Sequence, residues 1–196
     1  PKVGLNYHPS RHHSYYISYA TAAKEPNRKM FTESRTYDKD GERVLPRPEY
    51  MGDLEIGTEQ RWGSVGLFVN GYFMHYKDQI VPNGQKSDVG ENLMINVPKS
   101  YRLGIEMGAD WQALPQLRLA ANVTLSRNRI QDYTFYETMY DAEWNEIPTE
   151  VHKASVPIAD APSIISNQSI TWTPIKNLMI DLTGNYVGDR YLDNSG

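Results

Sequence analysis

The side chains with the most chemistry lie together between Tyr133 and Trp144, where Tyr133, Phe135, Tyr136, Tyr140 and Trp144 are mixed with Glu137, Asp141 and Glu143. Rings that stack beside polar groups suit an iron chelate, a corrinoid or a glycan as ligand, and the plainer alternative is that the rings cover one another. Arg28, Arg35, Arg47 and Arg129 offer guanidinium groups that would attract an anionic chelate. Solvated charges in connecting segments are the simpler explanation for them. His8, His12 and His13 crowd one stretch as imidazole ligands do, yet no carboxylate or cysteine stands at ligand spacing, so no metal is assigned. Asp38, Asp40 and Glu42 around Gly41 lack the twelfth-position carboxylate of a calcium loop and read as a polar turn.

Catalytic patterns are missing. There is no Gly-x-Ser-x-Gly elbow, no His-Glu-x-x-His, no phosphate-cradling glycine loop and no dinucleotide fingerprint. Glu106 and Asp110 share a strand face, but carboxylates lining a polar channel need no glycosidase role. Neither an enzyme activity nor a cofactor is expected. The sequons at Asn122 and Asn167 fall inside strands, where they would be idle. A formal net charge of -4 excludes a strongly basic nucleic-acid surface, and the lack of cysteine excludes disulfides.

The elements that must carry these residues are strands. From Tyr101 to Gln112 the odd positions Tyr101, Leu103, Ile105, Met107, Ala109 and Trp111 face the even positions Arg102, Gly104, Glu106, Gly108, Asp110 and Gln112. After Ala113-Leu114-Pro115-Gln116 the alternation resumes through Leu117, Leu119, Ala121, Val123 and Leu125. A period of two held this long predicts an antiparallel hairpin with one apolar face.

The same pattern predicts three further hairpins. The first is Lys2–His8 with Ser14–Ala22 about Pro9-Ser10-Arg11, the second Glu49–Trp62 with Val65–Lys77 about Gly63, and the last Ser163–Thr173 with Asn177–Tyr191 about Pro174-Ile175-Lys176. Long connections separate the hairpins at 24–48, 78–100 and 128–162, the second with a turn signal at Pro82-Asn83-Gly84. The expectation is an all-β, antiparallel, up-and-down meander of about eight long strands, with every short turn at one end and every long connection at the other. Soluble sandwiches have no reason for that asymmetry; outer-membrane barrels do.

Mean hydropathy of -0.62 alongside 14 Tyr and 14 Gly fits strands that are apolar on one face only. No run of about 18 apolar residues marks a transmembrane helix. No signal peptide is visible, and a chain opening on Pro1 instead of Met reads as an excised piece. Trp62, Trp111 and Trp172 each precede a short turn, and Tyr7 precedes the fourth. Tyr7, Trp62 and Trp111 also share parity with the apolar face of their strands. Rings at one rim on the outward face are what an aromatic belt requires, because they prefer the headgroup layer of a lipid bilayer.

Several stretches resemble the C-terminal barrel half of TonB-dependent outer-membrane receptors, especially Bacteroides-like ones. They are Tyr15 to Arg28, Arg47-Pro48-Glu49 with Leu54-Glu55-Ile56-Gly57, Tyr72 to Val81, Tyr101 to Glu106, and Tyr186 to Asp193. The resemblance implies that residues 1–196 are part of a 22-stranded barrel in the bacterial outer membrane, without its plug domain and its other strands. It also implies uptake of a scarce nutrient, a ferric siderophore by preference, with energy from the TonB complex through that plug. Ligand would be met by Arg28, Arg129, Tyr133, Tyr136, Tyr140 and Trp144 on the outer side. Two rivals follow from the strands alone. A small closed eight-stranded barrel with a structural or adhesin role requires Lys2–His8 to pair with Asn177–Tyr191; a soluble β-sandwich binding module requires Leu103, Ile105, Leu119 and Val123 to be buried under a second sheet.

Overall fold

The computed structural model describes residues 1–33, 41–87 and 89–194. It forms one antiparallel sheet from β1 (Lys2–Ser10), β2 (His13–Lys24), β3 (Glu49–Trp62), β4 (Val65–Lys86), β5 (Asn92–Leu114), β6 (Leu117–Tyr140), β7 (Glu146–Pro157), β8 (Ile164–Ile175) and β9 (Leu178–Val187). A short helix, α1 (Arg28–Glu33), lies in the first long connection, where only a polar loop is predicted. Asn27 caps it, its side-chain oxygen accepting from Met30 N at 3.0 Å.

The strand order is β1-β2-β3-β4-β5-β6-β8-β9, with β7 also on β6. β7 and β8 both run antiparallel to β6 on successive parts of its length, so they form one returning strand interrupted at 158–163. That leaves eight strand positions, as the alternation predicts. The tight reversals are Arg11–His12, Gly63–Ser64, Pro115–Gln116 and Lys176–Asn177, a residue or two beyond the predicted positions in three cases. Gly63 and Asn177 take positive φ of 54° and 66°, the left-handed region that Gly and Asn tolerate best.

Successive hairpins are staggered. Arg61 N donates to His12 O at 2.8 Å, Gln112 N to Ser64 O at 2.9 Å, and Thr173 N to Gln116 O at 2.8 Å, so each turn abuts the next hairpin before that hairpin has turned. Such a stagger is the shear of tilted strands in a barrel wall. Among the described residues β1 pairs only with β2 and β9 only with β8, which excludes the small closed barrel. Leu103 and Ile105 remain 48% and 37% exposed with no second sheet over them, which excludes the sandwich.

Two of the predicted long connections are largely strand. β4 and β5 continue past Lys77 and below Tyr101 as a ribbon that reverses between Lys86 and Asn92, and Pro82-Asn83-Gly84 falls inside β4 rather than at the turn. β6 continues to Tyr140 and pairs there with β7. The two ribbons bury Val81, Val97, Ile130, Tyr133, Phe135, Val156 and Ile158 between them. Asp78 and Asp132, at φ 54° and 52°, mark where the ribbons leave the wall. Ile130 and Tyr133 have opposite parity on β6 yet share one core, because the left-handed residue between them turns the chain. The apolar core of this chain therefore lies beyond the wall, at the end opposite the tight turns.

Candidate ligand-facing and lipid-facing surfaces

Directly opposed residues in an antiparallel ladder share a face, so the register assigns both faces of the wall. One face carries Leu5-Ile17-Ile56-Gly71-Ile105-Leu125 on a single rung and Trp62-Val65-Trp111-Leu119-Ile170 on another. Tyr7 joins this face through Tyr15 and Thr58, and Trp172 through Leu117. Tyr7, Trp62, Trp111 and Trp172 are 66%, 52%, 47% and 48% exposed, so each ring is available to an apolar solvent. Trp62 directly precedes its tight turn, and Tyr7, Trp111 and Trp172 each stand four residues before theirs.

A second aromatic row, missed in the sequence, closes the opposite edge of this face. Phe73 lies 6.2 Å from the His75 ring and 6.3 Å from Tyr101, with Tyr19 and Tyr50 nearby on the same face. The rung of Trp62, Val65 and Trp111 and the rung of Gly52, His75 and Tyr101 are ten residues apart along β3, β4 and β5. Ten residues span about 33 Å of strand, or about 25 Å along the barrel axis at a tilt of about 40°, the height of an outer-membrane apolar band. The signal was present in the sequence as the Trp-to-aromatic spacing on each strand.

The other face is polar and closely lined. Tyr16, Tyr72 and Phe68 lie across Gly57, Gly104 and Gly108, their own register partners, where an added Cβ would overlap the rings. Arg61 pairs with Asp110 at 3.7 Å, and Asn167 Nδ2 donates to Asn122 Oδ1 at 2.9 Å. A cavity of about 640 Å³ is lined by Ser14, Glu59, Asp110, Asn122, Asn167 and Asn185, among others. Residues from β2 to β9 can line one cavity only if this face is concave. Asn70 is buried here, and its side-chain oxygen has no partner among the described residues.

Beyond the wall, the two ribbons hold the mixed aromatic and polar stretch from Tyr133 to Trp144. Tyr133 and Phe135 stack 5.7 Å apart, buried in the core, and Lys153 Nζ sits 5.5 Å over the Phe135 ring. The Tyr133 hydroxyl donates to Pro82 O at 3.4 Å; burial raises its pKa, offset in part by a hydrogen bond with Asn194. Asn194, itself buried, accepts from Ala159 N at 2.7 Å and donates to Pro82 O at 3.0 Å, tying the end of the described chain to both ribbons. At the tip, Tyr140 and Trp144 pair at 6.0 Å and stay 54% and 81% exposed. Asp141 folds that tip, accepting from Glu143 N at 2.9 Å, Asn145 N at 2.8 Å and Asn145 Nδ2 at 2.9 Å. Those bonds to Asn145, then that to Glu143, hold its pKa below the usual carboxylate value.

The candidate residues thus separate. Tyr133 is core, Tyr140 and Trp144 are an exposed pair, and Arg28 is exposed at the start of α1. Arg129 sits on the apolar face opposite Tyr101, not with the tip. Arg47 is docked on β5, exchanging hydrogen bonds with Asn96 at 2.8 and 2.9 Å and facing Asp78 at 3.9 Å. Arg35, Asp38, Asp40 and the side chains of Tyr136 and Glu137 lie outside the described residues. Of the histidines, His13 Nδ1 meets Gln60 Oε1 and its ring tilts against Trp62 at 5.8 Å.

Staggered strands, an outward apolar band edged by two aromatic rows and a concave polar face define the wall of an outer-membrane β-barrel. The comparisons agree: the profile of the TonB dependent receptor-like, beta-barrel family matches residues 1–196, and the chain belongs to that family, whose members are outer-membrane transporters. No curated protein matches. Among solved structures, the copper transporter OprC aligns at TM-score 0.67 and 13% identity over 95% of this chain and 26% of that one. The ferric yersiniabactin uptake receptor FyuA from Yersinia pestis aligns at 0.63 and 18% over 99% and 27%. The ferric enterobactin receptor PfeA of Pseudomonas aeruginosa aligns at 0.62 and 18% over 96% and 27%. At such identities the likeness is one of fold, and the chain spans about a quarter of each of these structures.

Proposed function

We propose that residues 1–196 are a wall segment of an outer-membrane active-transport receptor that takes up an iron chelate. The observation that carries this reading is the exposed Tyr140–Trp144 pair, held on a ribbon with its own core beyond a lipid-facing wall. A flat chelate needs a rigid aromatic surface in the external medium, and a braced ribbon supplies one at little ordering cost. Arg28, exposed in the first long connection, adds charge toward an anionic ligand. Two of the structural relatives above are named as receptors for ferric chelates, which favours iron over corrinoid or glycan.

In this reading the energy comes from the TonB complex acting on a plug domain outside residues 1–196. The concave cavity and the unpartnered Asn70 oxygen support a further layer against the inner face, since a buried polar atom without a partner costs about 1–3 kcal/mol. No step of bond-making chemistry is assigned to the chain. The test is uptake by the full receptor in cells starved in turn for iron, corrinoid and glycan, each with candidate ligands supplied. Growth rescue by a ferric chelate alone is expected. Rescue by a corrinoid or glycan instead overturns the ligand, and rescue by none overturns transport.

A further inference from the structure

The ladder brings four cations together on the lipid-facing side at its outer edge. Lys77 and Lys99 are direct register partners, Arg129 is diagonal to Lys99, and Arg127 lies two residues along β6 from Arg129 on the same face. Direct cross-strand partners sit about 5 Å apart at Cβ and diagonal ones about 7 Å. Lys77, Lys99 and Arg127 are exposed and Arg129 is half-buried. Among the described residues none of the four is in an ion pair. The same-face neighbours on these rungs, among them Tyr50, Phe73, Tyr101, Gln131, Ser155 and Pro157, include no carboxylate.

Two lysines placed directly opposite each other repel, so the arrangement is unfavourable unless an anion sits between them. Its height says which anion. The Lys77–Lys99 rung lies two residues beyond the His75–Tyr101 rung that ends the apolar band, which is about 5 Å above it along the axis at the same tilt. That is the level of lipid headgroups, and the apolar surface below it, Phe73 and Leu103, is continuous with the lipid-facing band. We propose that Lys77, Lys99, Arg127 and Arg129 form a site for the phosphate headgroup of a lipid in the outer leaflet, whose chains lie on Phe73 and Leu103 below. Lys and Arg stems pack on the apolar rungs while their charged ends converge on the phosphate.

This inference rests on the outward face being lipid-facing, and not on which ligand the receptor imports. The test uses the full receptor in zwitterionic detergent micelles, with phosphatidic acid and phosphatidylcholine offered together and retained lipid counted by native mass spectrometry. Phosphatidic acid is expected to be retained at least tenfold over phosphatidylcholine, the preference falling as salt is raised. The double variant Lys77→Gln with Lys99→Gln should lose about 10- to 30-fold of that preference. Arg102→Gln, which removes a cation from the same strand as Lys99 but on the opposite, inward face, should keep it. Heat-modifiable migration on gels confirms that each variant is folded. Equal retention of the two lipids, loss with Arg102→Gln alone, or displacement by millimolar inorganic phosphate each overturns the lipid site. Iron-chelate uptake is measured in parallel, so failed uptake with intact lipid preference counts against the proposed function alone.

Discussion

Ile130 has no exposed surface and stands opposite Val156 in the core that joins the two ribbons. Ile130→Ala removes three carbons, worth about 2.4 kcal/mol in transfer at about 0.8 per methylene, and leaves a cavity beside Val97 and Tyr133. A total near 3 kcal/mol is expected, within the range of about 2–5 for buried Ile truncations. The wall below is held by its own ladders and by lipid, so this loss falls on the ribbons as a separate opening unit. Amide exchange in the full receptor, followed by mass spectrometry, should quicken by roughly 150-fold over 93–97 and 151–156, because each 1.4 kcal/mol is a factor of ten. Exchange over 101–107 should not change. Ile105→Ala, on the lipid-facing side, should leave 93–97 untouched. Unchanged exchange in the ribbons, or equal acceleration in the wall, would refute a self-contained core beyond the membrane.

Two other expectations concern the tip and the inner face. Because the folded-state pKa of Asp141 is depressed, its support of the 141–145 turn is complete above the ordinary carboxylate value near 3.8 and is lost as pH falls through the lower, folded value. Trp144 emission should therefore change below pH 3.8, with no such step in Asp141→Asn; a pH-independent Trp144 signal in the native protein would contradict the assigned bonds. Gly104→Ala would bring its Cβ within 2.8 Å of the Leu125 carbonyl as well as onto the Tyr72 ring, and should cost about 1–3 kcal/mol in urea unfolding. Gly184→Ala meets only the Gln168 side chain, at 3.2 Å, and should be nearly neutral.

Strand alternation is local chemistry, and the sequence alone determined it. The period of two in Tyr101–Arg127 requires one apolar and one polar face, and the short turns against long connections require a barrel wall with its tryptophans at one rim. Trp172, whose parity the alternation left open, needed the pairing with Leu117 to be placed on the outward face. The long connections were illegible for a different reason. Asp78 and Asp132 take left-handed φ, which breaks the period at the rungs where the ribbons begin, and no side-chain pattern announces a backbone angle. Tyr133 and Tyr140 look alike in sequence, seven residues apart in one polar and aromatic stretch. One became core and the other surface because the β4–β5 ribbon, Pro82 and the distant Asn194 cover the first and leave the second open. The basic cluster has the same origin: Lys77, Lys99 and Arg129 form no pattern along the chain, and only the cross-strand register makes them neighbours. Sequence set which face of each strand is apolar; the register between strands, fixed by turns and stagger, decided which residues meet across it.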